Sequence, residues 1–447
     1  MTAETDRHLH GGEAHVAGLE ARAGALGQHG DEVHLVVDGV VGAFEGGFEL
    51  AAYLGDRLVV RHGPTWAEDA EKGSGTPEDR PPGDDPRLFV DSPDSSHMNI
   101  AFDRLRELTE AHGVPGYEDR VRDVVRDRLA ETTDEVRTDG MGNVVGTVYG
   151  SDDTDYSVAV AAHMDEIGFM VRHVTDDGFL RVDALGGWDA RILRSQRVTV
   201  HADGGDLTGV IGSVPPHLLD GDESDDGAVA DVVIDMGRDG EAVSELVGVG
   251  DLVTLQQDTV ELGDCVSGKA LDDRVCVFTM LEAAERVTDP EVTVHFCATV
   301  QEEVGLRGAR ALGADTDADL AVALDVTVAN DIPQVSDPAD HVTELGDGAA
   351  IKLKDSSVIT THKVHRRLRD VAEAEGIAHQ LEVLPAGGTD TAGFQTEGGA
   401  RPVGALSVPT RYLHTGTETA DRGDIAATTD LLTAFLRTET GDHDYAL

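Results

Sequence analysis

The chain has 447 residues, more than one hydrophobic core usually serves, and its 40% hydrophobic content is enough for two or more domains. A formal charge of −51, from 86 Asp+Glu against 35 Lys+Arg, argues against direct binding to nucleic acid or anionic membranes. No apolar stretch approaches the roughly 20 residues that span a bilayer, and the start, Met1-Thr-Ala-Glu-Thr-Asp6, lacks a signal-peptide pattern, so a soluble cytoplasmic protein is expected.

The acids are spread along the chain rather than gathered in a tail. Only Lys72, Lys269, Lys352, Lys354 and Lys363 are lysine. At low salt such a surface repels itself, whereas near 1 M salt the screening length falls to about 3 Å. The composition therefore reads as whole-protein adaptation to a salt-rich cytoplasm. Cys265, Cys276 and Cys297 form no Cys-x-x-Cys pair, which argues against a disulfide framework or a thiolate zinc site.

In chain order, residues 1–97 stand apart. They hold seven of the 19 histidines at irregular spacing and end in a Pro/Gly/Asp/Ser-rich stretch from Ser74 to His97, read as loop or disorder. They are either a regulatory extension or, the reading favoured here, residues wrongly included ahead of an initiator at Met98. Phe102 to Thr109 reads as a helix, with another after Gly113-Val-Pro-Gly-Tyr-Glu118. Val158 to Ala162 reads as a strand ending at His163.

Residues 168–261 then carry only short β-like runs between Gly/Asp turns, including Phe169–Arg172, Arg197–Val200, Asp231–Ile234 and Asp251–Leu255. They read as a small all-β domain inserted into the catalytic one, which occupies 98–167 and 262–440. Asp272 to Val287 is helical, with Val277, Leu281 and Ala284 on one face. Strands follow at Val292–Val300, ending at Glu302, and at Leu320–Leu324, ending at Asp325. His362 to Gly376 is a helix closed by its glycine, and the strand Val403–Val408 comes shortly before His414. This alternation predicts an α/β fold with a mainly parallel sheet.

Each polar site follows an apolar run, and in α/β folds ligand sites assemble at such strand ends. His163-x-Asp165 places two residues on one side of a strand, so Asp165 can orient the imidazole. Taken singly, each motif reads blandly: a polar turn at 163–165, acids at a helix start at Asp272-Asp273-Arg274, a solvated turn at Glu302-Glu303, and a structural histidine at 414. Together they reverse that balance. Two histidines and several separated carboxylates suit divalent zinc, cobalt or manganese.

The chain resembles the tetrahedral, dinuclear-metal aminopeptidases, a family of glutamyl and deblocking aminopeptidases of which some are labelled endoglucanases. The resemblance rests on His163 to Gly168, Gly268 to Arg274, Glu302 to Ala309 and Arg411 to His414. Gly186-Gly-Trp-Asp189, Gly209 to His217 and Gly387-Gly388-Thr389-Asp390 extend it. It covers about 98–440, and nothing in 1–97 matches. Thr415-Gly-Thr departs from the family pattern in a loop without touching the ligand.

The resemblance implies a phosphorylase/hydrolase-like catalytic domain and two metal ions per subunit, zinc before cobalt or manganese. Asp272 would bridge them, with His163 and Asp325 on one ion and Glu303 and His414 on the other. Glu302 would be the general base, Asp165 the partner of His163, and Gly387 to Asp390 would contact substrate. It also implies removal of N-terminal residues from peptides, dimer contacts through the β insert, and a shell of twelve subunits. Two rivals are glycoside hydrolysis, poorly served by 4% aromatic residues, and an inactive metal-binding assembly protein, against which the intact Glu302 argues.

The charge yields a first prediction. As salt falls from about 1 M to 0.01 M the screening length grows from roughly 3 Å to 30 Å, so subunits should dissociate before they unfold. Sedimentation and peptidase assays over a KCl series check this, and a stable, fully active oligomer at about 10 mM salt would contradict it.

Overall fold

The computed structural model describes residues 100–151, 154–214 and 228–447, and the backbone of four strands between 24 and 62. The loop expected at 74–97, the initiator reading at Met98, and Pro215 to His217 lie outside the described residues. The chain divides into two units, Met1–Val90 and Asp91–Leu447. In the first, β1 (Gly24–His29), β2 (Glu32–Val36), β3 (Phe48–Leu54) and β4 (Arg57–His62) form an antiparallel sheet in the order β1-β2-β4-β3.

The second unit opens with α1 (Phe102–Glu110), α2 (Asp119–Thr132), β5 (Glu135–Thr138), β6 (Val144–Val148) and β7 (Ser157–His163). Next come β8 (Gly168–Val174), β9 (Phe179–Leu185), α3 (Ala190–Leu193), β10 (Arg197–Ala202), β11 (Gly205–Ile211), β12 (Val233–Asp235), α4 (Gly240–Ser244) and β13 (Leu252–Leu255). The chain returns through β14 (Val260–Leu262), β15 (Cys265–Gly268), α5 (Leu271–Arg286), β16 (Thr293–Thr299), α6 (Arg307–Asp315) and β17 (Leu320–Val328). It finishes with β18 (Ala349–Lys354), α7 (His362–Glu375), β19 (His379–Val383), α8 (Thr391–Thr396), β20 (Val403–Arg411), β21 (Glu418–Asp421) and α9 (Arg422–Arg437).

The main sheet runs β14-β15-β21-β20-β17-β7-β16-β6-β5, with β18 and β19 branching from β20. Its centre, β20-β17-β7-β16, is parallel throughout, as the alternation of strands and helices predicts. Antiparallel strands flank it on both sides. Every residue of β7 is buried. That follows from a run of Val and Ala covered on both faces, where small and β-branched side chains pack without alternation.

Helix α5 is buried almost all round and packs on β7, β17, α1 and α9. Helix α7 buries the stripe Val364, Leu368, Val371 and Ala372 and ends at Gly376, whose φ of 68° suits a residue without Cβ. Strand β17 runs three residues past Asp325, because its pairing with β20 continues to Val328.

Strands β10-β11-β12-β9-β8-β13 close into a small barrel. Phe169, Val171, Leu180, Val182, Val198, Val200, Ile234 and Val253 fill it, the inward half of each alternating strand. Strand β9 went unanticipated, since its run Phe-Leu-Arg-Val-Asp-Ala-Leu mixes charge with apolar residues. Trp188 stacks on Phe169 at 4.8 Å between ring centroids and donates its indole N–H to the carbonyl of Gly168. That contact packs the segment after β9 onto the start of β8, five residues past His163. Among the described residues no helix is long and apolar enough to cross a membrane.

Candidate metal centre

Strand register gathers the motifs. His163 closes β7 opposite Thr299, the last residue of β16. The pairing of Ala323 with Ala161 carries Asp325, two residues on, to the level of His163. The turn after β16 delivers Glu302 and Glu303, the start of α5 supplies Asp272 and Asp273 through a non-helical turn, and His414 follows β20.

The Nδ1–H of His163 donates to the carbonyl of Asp165 at 3.1 Å, and that of His414 to the carbonyl of Gly187 at 2.8 Å. A carbonyl only accepts, so each ring keeps a proton on Nδ1 and presents Nε2 to the centre. Asp272 stands between the two rings. Its Oδ1 is 3.3 Å from Nε2 of His163 and its Oδ2 is 3.3 Å from Nε2 of His414. Glu302 Oε2 lies 3.9 Å and Asp325 Oδ1 4.0 Å from Nε2 of His163, while Glu303 Oε2 lies 3.7 Å from Nε2 of His414.

Two donors each about 2.1 Å from a tetrahedral ion stand about 3.4 Å apart, so the spacing fits ligand atoms grouped round a cation. Donor atoms of His163, Asp272 and Glu303 lie within 4.8 Å of one another, as do those of His163, Asp273 and Asp325. The mixed nitrogen and oxygen set fits a borderline divalent ion such as zinc.

Asp165 is fully buried, and the nearer of its carboxylate oxygens is 3.5 Å from Nδ1 of His163. Its two oxygens accept the backbone N–H groups of Glu302 and Glu303 at 3.0 and 3.1 Å. One side chain therefore touches the His163 ring and fixes the glutamate turn. Of the segment 387–390, Gly387 and Gly388 are exposed while Thr389 and Asp390 are buried. The Asp390 carboxylate accepts from the hydroxyl of Thr299, and none of the four residues lines the cleft beside Asp272. That cleft is walled by Ile167, Trp188 and Leu255 and floored by Asp272, Glu303 and Glu418.

Sequence reasoning missed several buried groups around the centre. Glu418 accepts the N–H groups of Asp272 and His414. Glu118 accepts the N–H of Gln301 at 3.2 Å, next to the glutamate pair. Arg274 donates to the carbonyls of Leu108, Ala111, Gly113 and Met164, and Lys269 to Glu166 and the carbonyl of Thr109. For Lys269 and Arg274 the signal lay in the motif itself, a lysine and an arginine flanking a strand-to-helix turn. Glu118 and Glu418 are lone acids in polar turns and leave no such mark.

The electrostatics follow from this crowding. Burial and neighbouring carboxylates hold Glu302, Asp325, Asp273 and Glu418 well above the usual carboxylate range. Burial and the Asp272 charge push Glu303 up to about 8, and burial lifts Asp390 to about 6. Asp272 goes the other way. Burial opposes its charge, but hydrogen bonds from both imidazoles hold it below its ordinary value. Burial likewise opposes a charge on His414, and contact with Asp272 outweighs it, raising the ring to about 10. Carboxylates packed this way ionise together only where positive charge compensates them.

Fold and donor set together define an α/β protein with a candidate site for divalent cations at the ends of its parallel strands. A family model described as M42 glutamyl aminopeptidase matches residues 142–431. A putative aminopeptidase of Acetivibrio thermocellus is 36% identical over 332 residues, covering 74% of this chain and 97% of that one. The structure of an aminopeptidase from the archaeon Desulfurococcus kamchatkensis is 37% identical and superposes with a TM-score of 0.72, over 75% of this chain and 94% of that one. The TET1 peptidase of Pyrococcus horikoshii, described as assembling into a tetrahedron or a large octahedral shell, is 34% identical with a TM-score of 0.69, over 76% and 99%.

The chain belongs to the M42 glutamyl aminopeptidase family, as its motifs lead one to expect. It is a metal-dependent aminopeptidase, a hydrolase of peptide bonds.

The second prediction concerns protons. At pH 7 the metal-free site retains them on Glu303, near 8, and on His414, near 10. Ligands must shed their protons to bind a cation. Raising the pH removes that competitor, so zinc affinity should rise from about pH 6 to pH 8 with net proton release. Calorimetry in buffers of different ionisation enthalpy measures the release directly, and binding with none would contradict the assignment.

Proposed function

We propose that this aminopeptidase works with two divalent ions per subunit, zinc in preference to cobalt or manganese. His163 and Asp325 would hold one, Glu303 and His414 the other, and Asp272 both. The observation that carries the reading is the Asp272 carboxylate, with one oxygen 3.3 Å from each imidazole Nε2. When bound, such a pair supplies Lewis acidity that activates water near neutral pH and polarises the scissile carbonyl.

The rest falls to the chain's own residues. Glu302 places its Oε2 3.9 Å from Nε2 of His163, and burial raises its proton affinity. A base tuned upward in this way accepts a proton from attacking water and returns it to the leaving amine. Asp165 holds Glu302 and Glu303 in place through their backbone N–H groups. The free α-amino group of a peptide would dock near the carboxylates of Asp272 and Glu303 in the cleft, which limits cleavage to the first residue. Ile167, Trp188 and Leu255 offer that residue an apolar wall. The exposed main chain at Gly387 and Gly388 is the part of the 387–390 segment open to substrate.

Glycoside hydrolysis is the weaker reading. It generally uses two metal-free carboxylates and a sugar platform, whereas here the carboxylates crowd two imidazoles and the cleft wall carries one aromatic ring, Trp188. We further propose a cytoplasmic, salt-adapted homo-oligomer, in line with the shell-forming Pyrococcus horikoshii relative. The barrel would supply dimer contacts, an assignment supported by exposed Val210, Leu246 and Val249 in that part of the chain.

Glu302→Gln is the decisive substitution. It should retain both ions and lower turnover on aminoacyl amides by at least about 10²-fold, the scale of lost general-base catalysis. Metal analysis and steady-state rates at multimolar KCl measure both quantities. A fully active Glu302→Gln enzyme, or full activity after exhaustive chelation, would sink this mechanism.

A further inference from the structure

Glu418 opens β21, and the antiparallel register of β21 with β15 sets it opposite Gly268, four residues before Asp272. The side chain is buried, with only 1% of its surface exposed. Its two oxygens divide between two chain segments. Oε2 accepts the backbone N–H of Asp272 at 3.0 Å, and Oε1 accepts that of His414 at 2.8 Å.

A second feature of the same loop calls for such a tie. His414 has a φ of 59° and Tyr412 one of 61°, left-handed backbone that residues with a Cβ adopt only when their surroundings hold them there. The ring of His414 is fixed at Nδ1 by the carbonyl of Gly187, and its main chain by Glu418. The arrangement mirrors Asp165, whose two oxygens hold the N–H groups of Glu302 and Glu303.

We propose that Glu418 is a positioning residue of the metal centre, which ties the main chains of Asp272 and His414 together and so sets the gap between their ligand atoms. It acts through the ligands and not on the substrate. The inference rests on the two-ion reading above. Its consequence is graded: the ion held by Asp272, Glu303 and His414 depends on Glu418 through two of its ligands, Asp272 and His414, and the ion held by His163 and Asp325 only through the shared Asp272.

The test compares the full-length parent with Glu418→Gln and Glu418→Asp. Zinc affinity at each site is read by competition with a chromogenic chelator, and kcat and KM are measured across a free-zinc series. The amide turns an NH2 towards one of the two N–H groups, and aspartate withdraws the carboxylate by one methylene. Both should weaken one ion by about 10- to 100-fold, the usual effect of losing a partner that orients a ligand. The other ion, which shares only Asp272 with this tie, should weaken less, kcat should recover when free zinc is raised by the same factor as the affinity lost, and KM should not change.

Parental affinity at both sites overturns the proposal. So does a loss of kcat that persists with both ions bound, which would assign Glu418 to the substrate. Failure of both variants to fold at saturating zinc also counts against it, since the group would then serve the core. A parent that binds fewer than two ions defeats the two-ion reading and this inference together, whereas a two-ion parent with unchanged variants defeats this inference alone.

Discussion

Asp165, Asp272, Asp273, Glu302, Glu303, Asp325 and Glu418 meet at the ends of strands whose bodies are almost wholly apolar. Withdrawn from water without compensation, such groups would take up protons, as the raised values at Glu302, Glu303 and Asp325 record. The centre answers in two ways. Asp165 and Glu418 are satisfied by backbone N–H groups. Asp272, Glu303 and Asp325 are instead aimed at the Nε2 atoms of two rings, an arrangement that suits the divalent cations proposed above. The parallel register of β7, β16 and β17 matters because it brings separate carboxylates within ligand distance of His163.

Much of this was legible in the sequence. Apolar runs ending at His163, Glu302 and Asp325 announce strands that deliver polar residues to one edge, and all three stand at that edge. The parallel centre of the sheet and the amphipathic helix closed by Gly376 were equally open to reading. Other features depend on tertiary contacts that leave no local trace. Strand β9 carries Arg181 and Asp183 among its apolar residues, and only closure of the barrel shows which side faces inward. Glu418 gains its place from a register with β15, whose Gly268 lies 150 residues earlier. Asp390, which the resemblance implies contacts substrate, is buried against Thr299.

The scarcity of lysine gains meaning from where lysines lie. Lys269 and Lys352 are buried, paired with Glu166 and Glu382 respectively. Arg274, also buried, follows Asp272 by two residues and donates to four carbonyls, Leu108 in α1, Ala111 and Gly113 in the loop after it, and Met164 just past β7. These cations serve the ordering of the centre and contribute little to balancing the surface. An acidic exterior and an acidic centre therefore rely on different compensation: mobile counterions outside, and within, buried basic side chains together with the metal ions that the family requires.

Anomalous diffraction from a zinc-loaded crystal tests the central claim most directly. Two peaks about 3.5–4 Å apart are expected. Both should lie within bonding distance of Asp272, one also ligated by His163 and the other by His414. A single peak, or two that do not share Asp272, would contradict the account.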